Sequence, residues 1–452
     1  MKNKIKKIKS KLPRGSVLVF TLIILFIILA SAIGISSVSV LERKGAHSSD
    51  VSVQSFQIAN SGAEIILKKL KCKRETDKLS SIFSNCNISN GVVSGSIGSG
   101  KNYAITFYKT DGLPATCSDQ LGDMDKIKSV GSYSGTTRAI EVAFAVQDSW
   151  KEKAPMPTAR DYLGAAALNG KIYAIGGQDA DGKNSGKNEV YDPANNSWKT
   201  LADMPTPRYL LKVEAVNEKL YAFGGFDSND SKITEEYDPS TDKWTSKSDM
   251  NDTRFLFASA VIDNYIYAIG GQGSVFNGKV ERYDPSKDKW ENVDSMPVFK
   301  SRHSAAVANG KIYAITGDPS VLEYDPVLDS WSQKQNFPDS FGMYNIPGSG
   351  CLLVDGAAAA VKDKIYHIGG SVCWSIPDNF EYDPVSDKWY RRTWMLLDDG
   401  KYLARHGLVA VTVNDKIYVM GGAKRELGSP YLVFNINQEY NPAADCRREP
   451  ST

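Results

Sequence analysis

The feature that most constrains the fold is a repeat that runs from Trp150 to the end of the chain. Six short apolar segments end in paired glycines or their equivalent, and their last glycines follow one another at intervals of 46 to 53 residues. The segments lie at 171–177, 220–225, 266–271, 312–317, 365–370 and 417–422. A period of this length indicates an array of small units, each of which buries its apolar face only against its neighbours.

A second mark, Tyr-Asp-Pro or Tyr-Asn-Pro, follows each segment and predicts a turn between two strands, because Pro and its polar neighbours suit turn positions. The tyrosines are Tyr191, Tyr237, Tyr283, Tyr324, Tyr382 and Tyr440. Seven residues after each of the first five comes a tryptophan, at Trp198, Trp244, Trp290, Trp331 and Trp389.

The sixth copy has Arg447 in place of that tryptophan and therefore lacks its outer strand. Trp150 stands before the first copy, with Met156-Pro157 after it as in other copies. We expect the strand at Trp150 to complete the sixth unit, which pins the two ends together and leaves no sheet edge open.

The glycine pairs, the turns and the tryptophans together resemble the kelch repeat. The resemblance implies a mainly β fold in which residues 148–447 form a six-bladed kelch β-propeller, followed by a tail at 448–452. Each blade is expected to have four short antiparallel strands, with Tyr and Trp packed between blades and the glycines allowing close backbone approach. We therefore interpret the repeated residues as scaffold and seek function elsewhere.

Composition excludes several functional classes. The 452 residues are 42% hydrophobic and carry a formal charge of +2 from 54 basic and 52 acidic residues, so no overall field would hold nucleic acid. The six cysteines include no C-x-x-C pair, which leaves zinc ribbons and thioredoxin-like redox sites without support.

The N-terminus predicts insertion into a membrane. Residues 1–15 form a basic leader with Lys2, Lys4, Lys6, Lys7, Lys9, Lys11 and Arg14, whereas residues 16–34 carry no charge. Nineteen helical residues cover roughly 28 Å, close to the ~30 Å hydrocarbon core. Because basic residues before a span stay in the cytoplasm, the chain from Glu42 onward is expected outside it, as a single-pass membrane or pilus-associated protein.

Residues 13–23, Pro-Arg-Gly-Ser-Val-Leu-Val-Phe-Thr-Leu-Ile, resemble the start of type IV pilins and pseudopilins. The resemblance implies cleavage between Gly15 and Ser16 and assembly with other pilin-like subunits. Phe20 departs from the pattern, since most major pilins have glutamate there, and this departure suits a minor subunit at the filament tip. Two alternatives stay open: a secretory signal cut after Ala32, and an uncleaved anchor.

The pilin-like region is predicted to cover residues 16–147. It begins with a transmembrane helix at about 16–40 that continues to about 70, and a small β-sheet follows at about 91–147, where alternating runs are separated by Gly- and Ser-rich turns. A helix followed by a small sheet is the order of a small α+β pilin-like domain, and the boundary to the propeller falls just before Trp150.

The first candidate ligand site is a partial ring of cations. A basic side chain lies seventeen residues before the last glycine of five repeats, at Arg160, Arg208, Arg254, Lys300 and Arg405, while the fifth repeat has Leu353. In kelch proteins this loop faces one end of the propeller, so the ring is suited to carboxylates or acidic glycans. The alternative is that each cation braces its own blade.

The fifth repeat is irregular over residues 341–356, and insertions in a repeat array often lie on the binding face. Tyr344, Trp374 and Arg405 are therefore the best predicted ligand contacts, against the alternative of a longer loop without a partner.

Cysteine pairing is predicted at one place. Cys351 and Cys373 belong to the same blade, and an oxidising compartment would allow them to form a disulfide. The pairing of Cys72, Cys86 and Cys117 stays open, because three is an odd number and Cys446 or another chain can supply a partner.

Catalysis, cofactors and metals find little support in the sequence. The four histidines are scattered, and no Ser-His-Asp grouping is visible from spacing. The Gly95 to Lys101 stretch fits a phosphate loop only in part, because Asn102 replaces Ser or Thr and a strand-like run follows. No catalytic residue, cofactor or metal ligand is predicted.

These observations predict a surface-exposed binding or adhesion protein. In this interpretation a minor, tip-located pilin-like subunit presents a propeller to an extracellular protein or glycan. The alternative is a membrane-anchored or secreted enzyme that acts on sugars, since some six-bladed kelch proteins resemble sialic-acid mutarotases.

Overall fold

A computed structural model describes residues 50–70, 77–87, 91–144, 148–273, 278–316, 321–336, 354–372, 374–397, 401–425, 431–445 and 449–450. The chain divides into two compact units, residues 1–148 and 149–452. Within these described ranges no helix is long and apolar enough to cross a membrane. The predicted leader, Gly15, Ser16 and the predicted span at about 16–40 lie outside them.

The first unit packs one long helix on an antiparallel sheet. Its helices are α1 (Asp50–Leu70) and α2 (Leu79–Ile82), with a 3₁₀ turn at Leu121–Asp123. The sheet is a meander of β1 (Val92–Ser96), β2 (Asn102–Lys109), β3 (Met124–Tyr133) and β4 (Thr136–Ala143), paired in that order. Gly131 lets α1 approach, because a Cβ there would lie 2.2 Å from the Ser55 carbonyl oxygen.

A disulfide between Cys86 and Cys117 links two loops of this unit. The sequence left this pairing open. Cys72 and Cys446, and the predicted pair Cys351 and Cys373, lie outside the described residues.

The second unit is a closed ring of six antiparallel sheets, the blades. The innermost strands are Gly164–Leu168, Lys212–Val216, Ala258–Ile262, Ser304–Ala308, Ala357–Val361 and Val409–Val413. Each contacts the next, and the sixth contacts the first. The second strands are Lys171–Ile175, Lys219–Phe223, Tyr265–Ile269, Lys311–Ile315, Lys364–Ile368 and Lys416–Met420.

The third and outermost strands complete the blades. The third strands are Asn188–Asp192, Thr234–Asp238, Val280–Asp284, Val321–Asp325, Asn379–Asp383 and Asn437–Tyr440. The outermost strands of blades 1 to 5 are Ser197–Thr200, Lys243–Lys247, Lys289–Val293, Ser330–Lys334 and Lys388–Arg391. The outermost strand of blade 6 is Trp150–Lys153, in which Trp150 pairs with Tyr440. The predicted closure of the ring by Trp150 is therefore confirmed.

Shorter strands extend the loops. Paired two-residue strands occur at Arg254–Phe255 with Gln272–Gly273, at Ser371–Val372 with Trp374–Ser375, and at Ala423–Lys424 with Leu432–Val433. Glu449–Pro450 adds a fifth strand to the outer edge of blade 5, by pairing with Tyr390 and Arg391. The predicted tail at 448–452 therefore includes a strand, because the outer edge of blade 5 offers free backbone groups.

The repeated Tyr and Trp residues join neighbouring blades. The Tyr237 hydroxyl donates a 2.6 Å hydrogen bond to Asp242, whose carboxylate also accepts from the Ala202 amide of the preceding blade. Trp244 Nε1 donates to the Ala202 carbonyl at 2.9 Å. Tyr283 and Asp288 repeat the first arrangement in blade 3. These buried aromatic residues are scaffold, since their polar atoms are used within the ring.

Candidate ligand site at the channel mouth

The four arginines of the predicted cation ring are buried inside their own blades. Arg160, Arg208 and Arg405 are 0% exposed, and Arg254 is 3% exposed. Each donates a hydrogen bond of 2.7 to 2.9 Å to the carbonyl of the first glycine in the glycine pair of its blade. These glycines are Gly176, Gly224, Gly270 and Gly421.

Each buried arginine also has a side-chain partner on the third strand. Arg160 pairs with Glu189 at 2.7 Å and Arg254 with Glu281 at 2.6 Å. Arg208 pairs with Glu235 in the same way, and Arg405 donates to the neutral Gln438 at 2.8 Å. Burial lowers the pKa of the Arg160 and Arg208 guanidinium groups, and the paired glutamates oppose that shift.

The partners follow a rule that the sequence analysis missed. Each lies two residues before the repeated tyrosine, and blades 4 and 5 have Leu322 and Phe380 there. These are the two blades that lack the arginine and carry Lys300 and Leu353 instead. Arginine and acceptor are thus present or absent together, and the geometry favours the bracing role over binding of an external anion.

The remaining predicted contacts differ in placement. Lys300 is half-buried, its carbonyl accepts from the Gly271 amide at 2.8 Å, and burial lowers the pKa of its amine. Trp374 lies in the strand Trp374–Ser375, and Ser375 contacts His406, as described below. Tyr344 lies outside the described residues. Ligand binding by these residues stays a prediction.

Two residues after each position of the predicted cation ring, the chain forms a collar around the axis of the propeller. The collar consists of Tyr162, Leu210, Leu256, Arg302, Asp355 and Gly407, all with φ between 47° and 61°. Backbone N–H groups donate to the carbonyl of a neighbouring collar residue at five of the six junctions, as from Tyr162 to Gly407 at 2.8 Å. The five collar residues other than Gly407 therefore have a left-handed backbone conformation that L-residues rarely adopt. Such backbone conformations are common in binding sites.

Three collar side chains form a polar cluster. Arg302 donates to Asp355 Oδ2 at 2.6 Å, and the Tyr162 hydroxyl donates to the same oxygen at 3.1 Å. Burial raises the pKa of Asp355, while Arg302 and Tyr162 act against that rise. The Arg302 side chain stays 43% exposed, whereas that of Asp355 is 5% exposed, so the guanidinium keeps a face for a ligand.

An outer ring surrounds the collar. It consists of the residues that directly precede the collar residues in the chain, namely Asp161, Tyr209, Phe255, Ser301, Val354 and His406. The collar and the outer ring together are called the channel mouth. The outer-ring members Tyr209 and Phe255, together with Phe226, continue from Tyr162 as an arc of aromatic rings packed edge to face. Centroids are 6.4 Å apart for Tyr162 and Tyr209, 5.7 Å for Tyr209 and Phe226, and 5.8 Å for Phe226 and Phe255. All four are half-buried, so the arc presents ring surface at the mouth.

A chain of hydrogen bonds lies on the other side of Tyr162. The Tyr431 hydroxyl donates to Asp161 Oδ2 and lies 3.5 Å from His406 Nε2, and Ser375 Oγ lies 2.9 Å from His406 Nδ1. Burial raises the pKa of Asp161 to about 6 and lowers that of His406 to about 4. Asp161 Oδ1 is buried and has no hydrogen bond to another described residue, which is unusual for a buried carboxylate oxygen.

Four of the predicted cations, Arg160, Arg208, Arg254 and Arg405, are turned into their blades, and the next two positions of each loop form the outer ring and the collar. Ligand binding by the predicted residues stays a prediction. A usable signal existed, because the position after the cation reads Asp161, Tyr209, Phe255, Ser301, Val354 and His406 across the six repeats. Such variation within an otherwise regular repeat is expected where scaffold gives way to a site. Within the described ranges, no three His, Cys, Asp or Glu side chains are grouped to hold a metal ion.

Comparisons with known proteins agree with this architecture. A family profile described as "KLHDC2/KLHL20/DRC7 Kelch-repeats domain" matches residues 138–317. The Kelch-like protein terF of Aspergillus terreus is 37% identical over 68 residues, which are 14% of this chain and 15% of that protein. The solved structure of YjhT superposes with a TM-score of 0.51 at 16% identity, over 62% of this chain and 95% of YjhT.

These similarities differ in what they show about this chain. The matched segment spans only 15% of the length of terF, and the likeness to YjhT, at 16% identity, concerns the fold alone. The profile match falls on the repeats, and the six four-stranded sheets close into a ring. The C-terminal unit of this chain is therefore a six-bladed β-propeller, and its sequence matches the kelch-repeat profile over residues 138–317.

Proposed function

We propose that this protein is a surface-held recognition protein whose ligand binds at the channel mouth. The observation that carries the proposal is the separation of roles within one loop. The buried arginines brace the blades, whereas the neighbouring collar and outer ring present side chains that the scaffold does not require.

The mouth is suited to a ligand with an apolar or ring-shaped face and a polar edge. Tyr162, Tyr209 and Phe255 offer ring surface over blades 1 to 3, and aromatic residues dominate the energy of many binding sites. Arg302 supplies a donor beside this surface. An extracellular protein segment or a glycan has this combination of features.

The binding test uses the labelled full-length protein, probed against glycan and protein arrays. Replacement of Tyr209 by alanine is expected to weaken binding of any hit about tenfold or more, as loss of a central aromatic contact does. Replacement of Val385, which is 80% exposed at an outer turn of blade 5, is the matched control and leaves binding unchanged. Equal binding by the Tyr209 variant would place the ligand elsewhere.

We further propose that the N-terminal region is pilin-like and carries the propeller as a minor subunit at a filament tip, in contact with the membrane and with other pilin-like subunits. The leader, Phe20 and the size of the propeller support this, because a domain of about 300 residues would obstruct lateral packing along a shaft. Sequencing of the mature N-terminus tests it. Ser16, especially if N-methylated, supports a pilin, whereas Ile33 indicates a secreted protein and Met1 a plain anchor.

The position in the filament has its own test. Antibody against the propeller, seen by electron microscopy, is expected at filament ends. Labelling along whole filaments would contradict the tip placement.

A second candidate is an enzyme that acts on sugars, of the sialic-acid mutarotase type. The hydrogen-bonded series Asp161, Tyr431 and His406 favours it, because opening and closing a sugar ring needs one group that gives a proton and one that takes it. A carboxyl group with a pKa of about 6 is suited to that work near neutral pH. Exchange between sialic-acid anomers, followed by NMR, would be accelerated by the wild type and not by Asp161→Asn. The same rate with and without the protein would exclude this candidate.

A further inference from the structure

Blade 2 places two charged residues on its innermost strand, and no other blade does so. The strand Lys212–Val216 reads Lys-Val-Glu-Ala-Val, whereas the other five innermost strands contain only Gly, Ala, Ser, Thr, Val, Ile and Leu. The residues equivalent to Lys212 in the other blades are Gly164, Ala258, Ser304, Ala357 and Val409. Blade geometry does not require a lysine at this position, so its presence calls for another reason.

The Lys212 side chain lines a cavity of about 60 Å³ directly beneath the collar, with Tyr162, His303 and Asp355. Leu211 and Phe257 supply apolar walls. At roughly 10–15 Å³ of such space per water molecule, the cavity holds about four to six waters, or a compound of two or three carbon atoms. The site is thus small and partly apolar.

The Lys212 amine has no ion pair within 4.0 Å among the described residues, whereas Lys219 on the next strand pairs with Asp238 at 2.6 Å. Two carboxyl groups flank it at longer range. Glu214 accepts a 2.6 Å hydrogen bond from Ser259, and Asp355 is held by Arg302. Burial lowers the pKa of Lys212, although Glu214 and Asp355 oppose the shift, and burial raises the pKa of Glu214 to about 7.

The other groups around the cavity are uncharged or already paired. His303 is 5% exposed. Burial lowers the pKa of His303 to about 3, so this ring is neutral near pH 7 and does not compete for a proton. Arg302 and Tyr162 are both engaged by Asp355.

We propose that Lys212 is a nucleophilic amine that forms an imine with a small aldehyde or ketone in the cavity beneath the collar. A partly desolvated lysine without an ion pair is the side chain that proteins use for this reaction. The Nζ lone pair forms a bond to the carbonyl carbon, the carbonyl oxygen takes up a proton, and the nitrogen loses one. The resulting hydroxyl group then takes a proton from solvent and leaves as water, while the C=N bond forms.

The experiment treats the full-length protein with glyoxylate and sodium cyanoborohydride, which delivers hydride to the imine carbon and leaves disulfides intact. The product is a carboxymethyl-lysine, located by peptide mass mapping. At pH 7, Lys212 is expected to react several-fold faster than the exposed Lys183 and Lys362, because a lowered pKa leaves a larger fraction of its amine unprotonated.

Two variants identify the site. Lys212→Arg keeps the charge and is expected to abolish the fast labelling, while Lys219→Arg, the matched control on the next strand, leaves it unchanged. Labelling of Lys212 in the wild type at the rate of the exposed lysines, or slower, would overturn the proposal without any need for a folded variant.

Discussion

The replacement of Arg254 by alanine leaves Glu281 buried without its charged partner. Glu281 is 0% exposed, and the guanidinium of Arg254 bonds both to it and to the carbonyls of Gly270 and Lys279. Breaking a buried ion pair by removal of one partner costs about 3–5 kcal/mol, because the remaining charge is poorly solvated. We expect a loss of this size in the free energy of unfolding.

The repeats themselves contain the matching control. Where the arginine is absent, in blades 4 and 5, the acid is replaced by Leu322 or Phe380. The double variant Arg254→Leu, Glu281→Leu copies this solution in blade 3. It removes the uncompensated charge but takes the arginine donor from the Gly270 carbonyl and the carboxylate acceptor from the Asn251 amide, each at a cost of about 1–3 kcal/mol at most, while the Lys279 carbonyl still accepts from the Gly270 amide. We expect it to recover at least about 2 kcal/mol of the loss in the single variant.

Urea unfolding followed by tryptophan fluorescence measures both variants in the full-length protein. All eight tryptophans lie between residues 150 and 394, so the signal reports on the propeller alone. A cost below about 1 kcal/mol for Arg254→Ala, or a double variant less stable than the single one, would refute the bracing role and return the arginine to the list of ligand contacts.

Three further predictions concern stability. Burial raises the pKa of Asp161 from 3.8 to about 6, so its favourable contribution to the free energy of unfolding is complete below pH 3.8 and is lost as the pH rises through about 6. In urea unfolding measured from pH 4 to 7, Asp161→Asn is expected to abolish this fall. Replacement of Trp150 by alanine removes its packing on Tyr440 and its hydrogen bond to the Thr393 carbonyl, and is expected to cost about 3–5 kcal/mol by the fluorescence assay; a loss under about 1 kcal/mol would show that the closing strand is dispensable. Replacement of Cys86 by serine opens a loop of 31 residues and is expected to destabilise the first unit by about 3–4 kcal/mol in protease-susceptibility measurements, while the tryptophan unfolding midpoint stays constant.

Much of the propeller follows from the sequence because its stability is local to each repeat. The spacing of the glycine pairs and of the tyrosines fixed the number of blades, and Trp150 indicated how the ring closes. The register of Tyr440 with Trp150 agrees with that expectation. The added strand at Glu449–Pro450 was not foreseen, since a two-residue strand leaves no periodic pattern.

The candidate site was foreseen only as a loop. From the sequence, Arg160, Arg208, Arg254 and Arg405 form a ring of cations. Their direction depends on partners about thirty residues later in the chain, Glu189, Glu235, Glu281 and Gln438. The glutamate two residues before the tyrosine was visible but had no assigned partner. Asp161 and Tyr431 lie 270 residues apart in the chain, so their contact has no sequence signal at all.

The sequence by itself determined that six units are present, that the first and last share a blade, and that the repeated Tyr, Trp and Gly residues are scaffold. The tertiary structure decided which residues of the entry loop reach the mouth. The physical reason is that a buried arginine needs an acceptor side chain and carbonyls within reach, which draws it into the blade, while the residue two positions later takes the left-handed conformation of the collar around the axis.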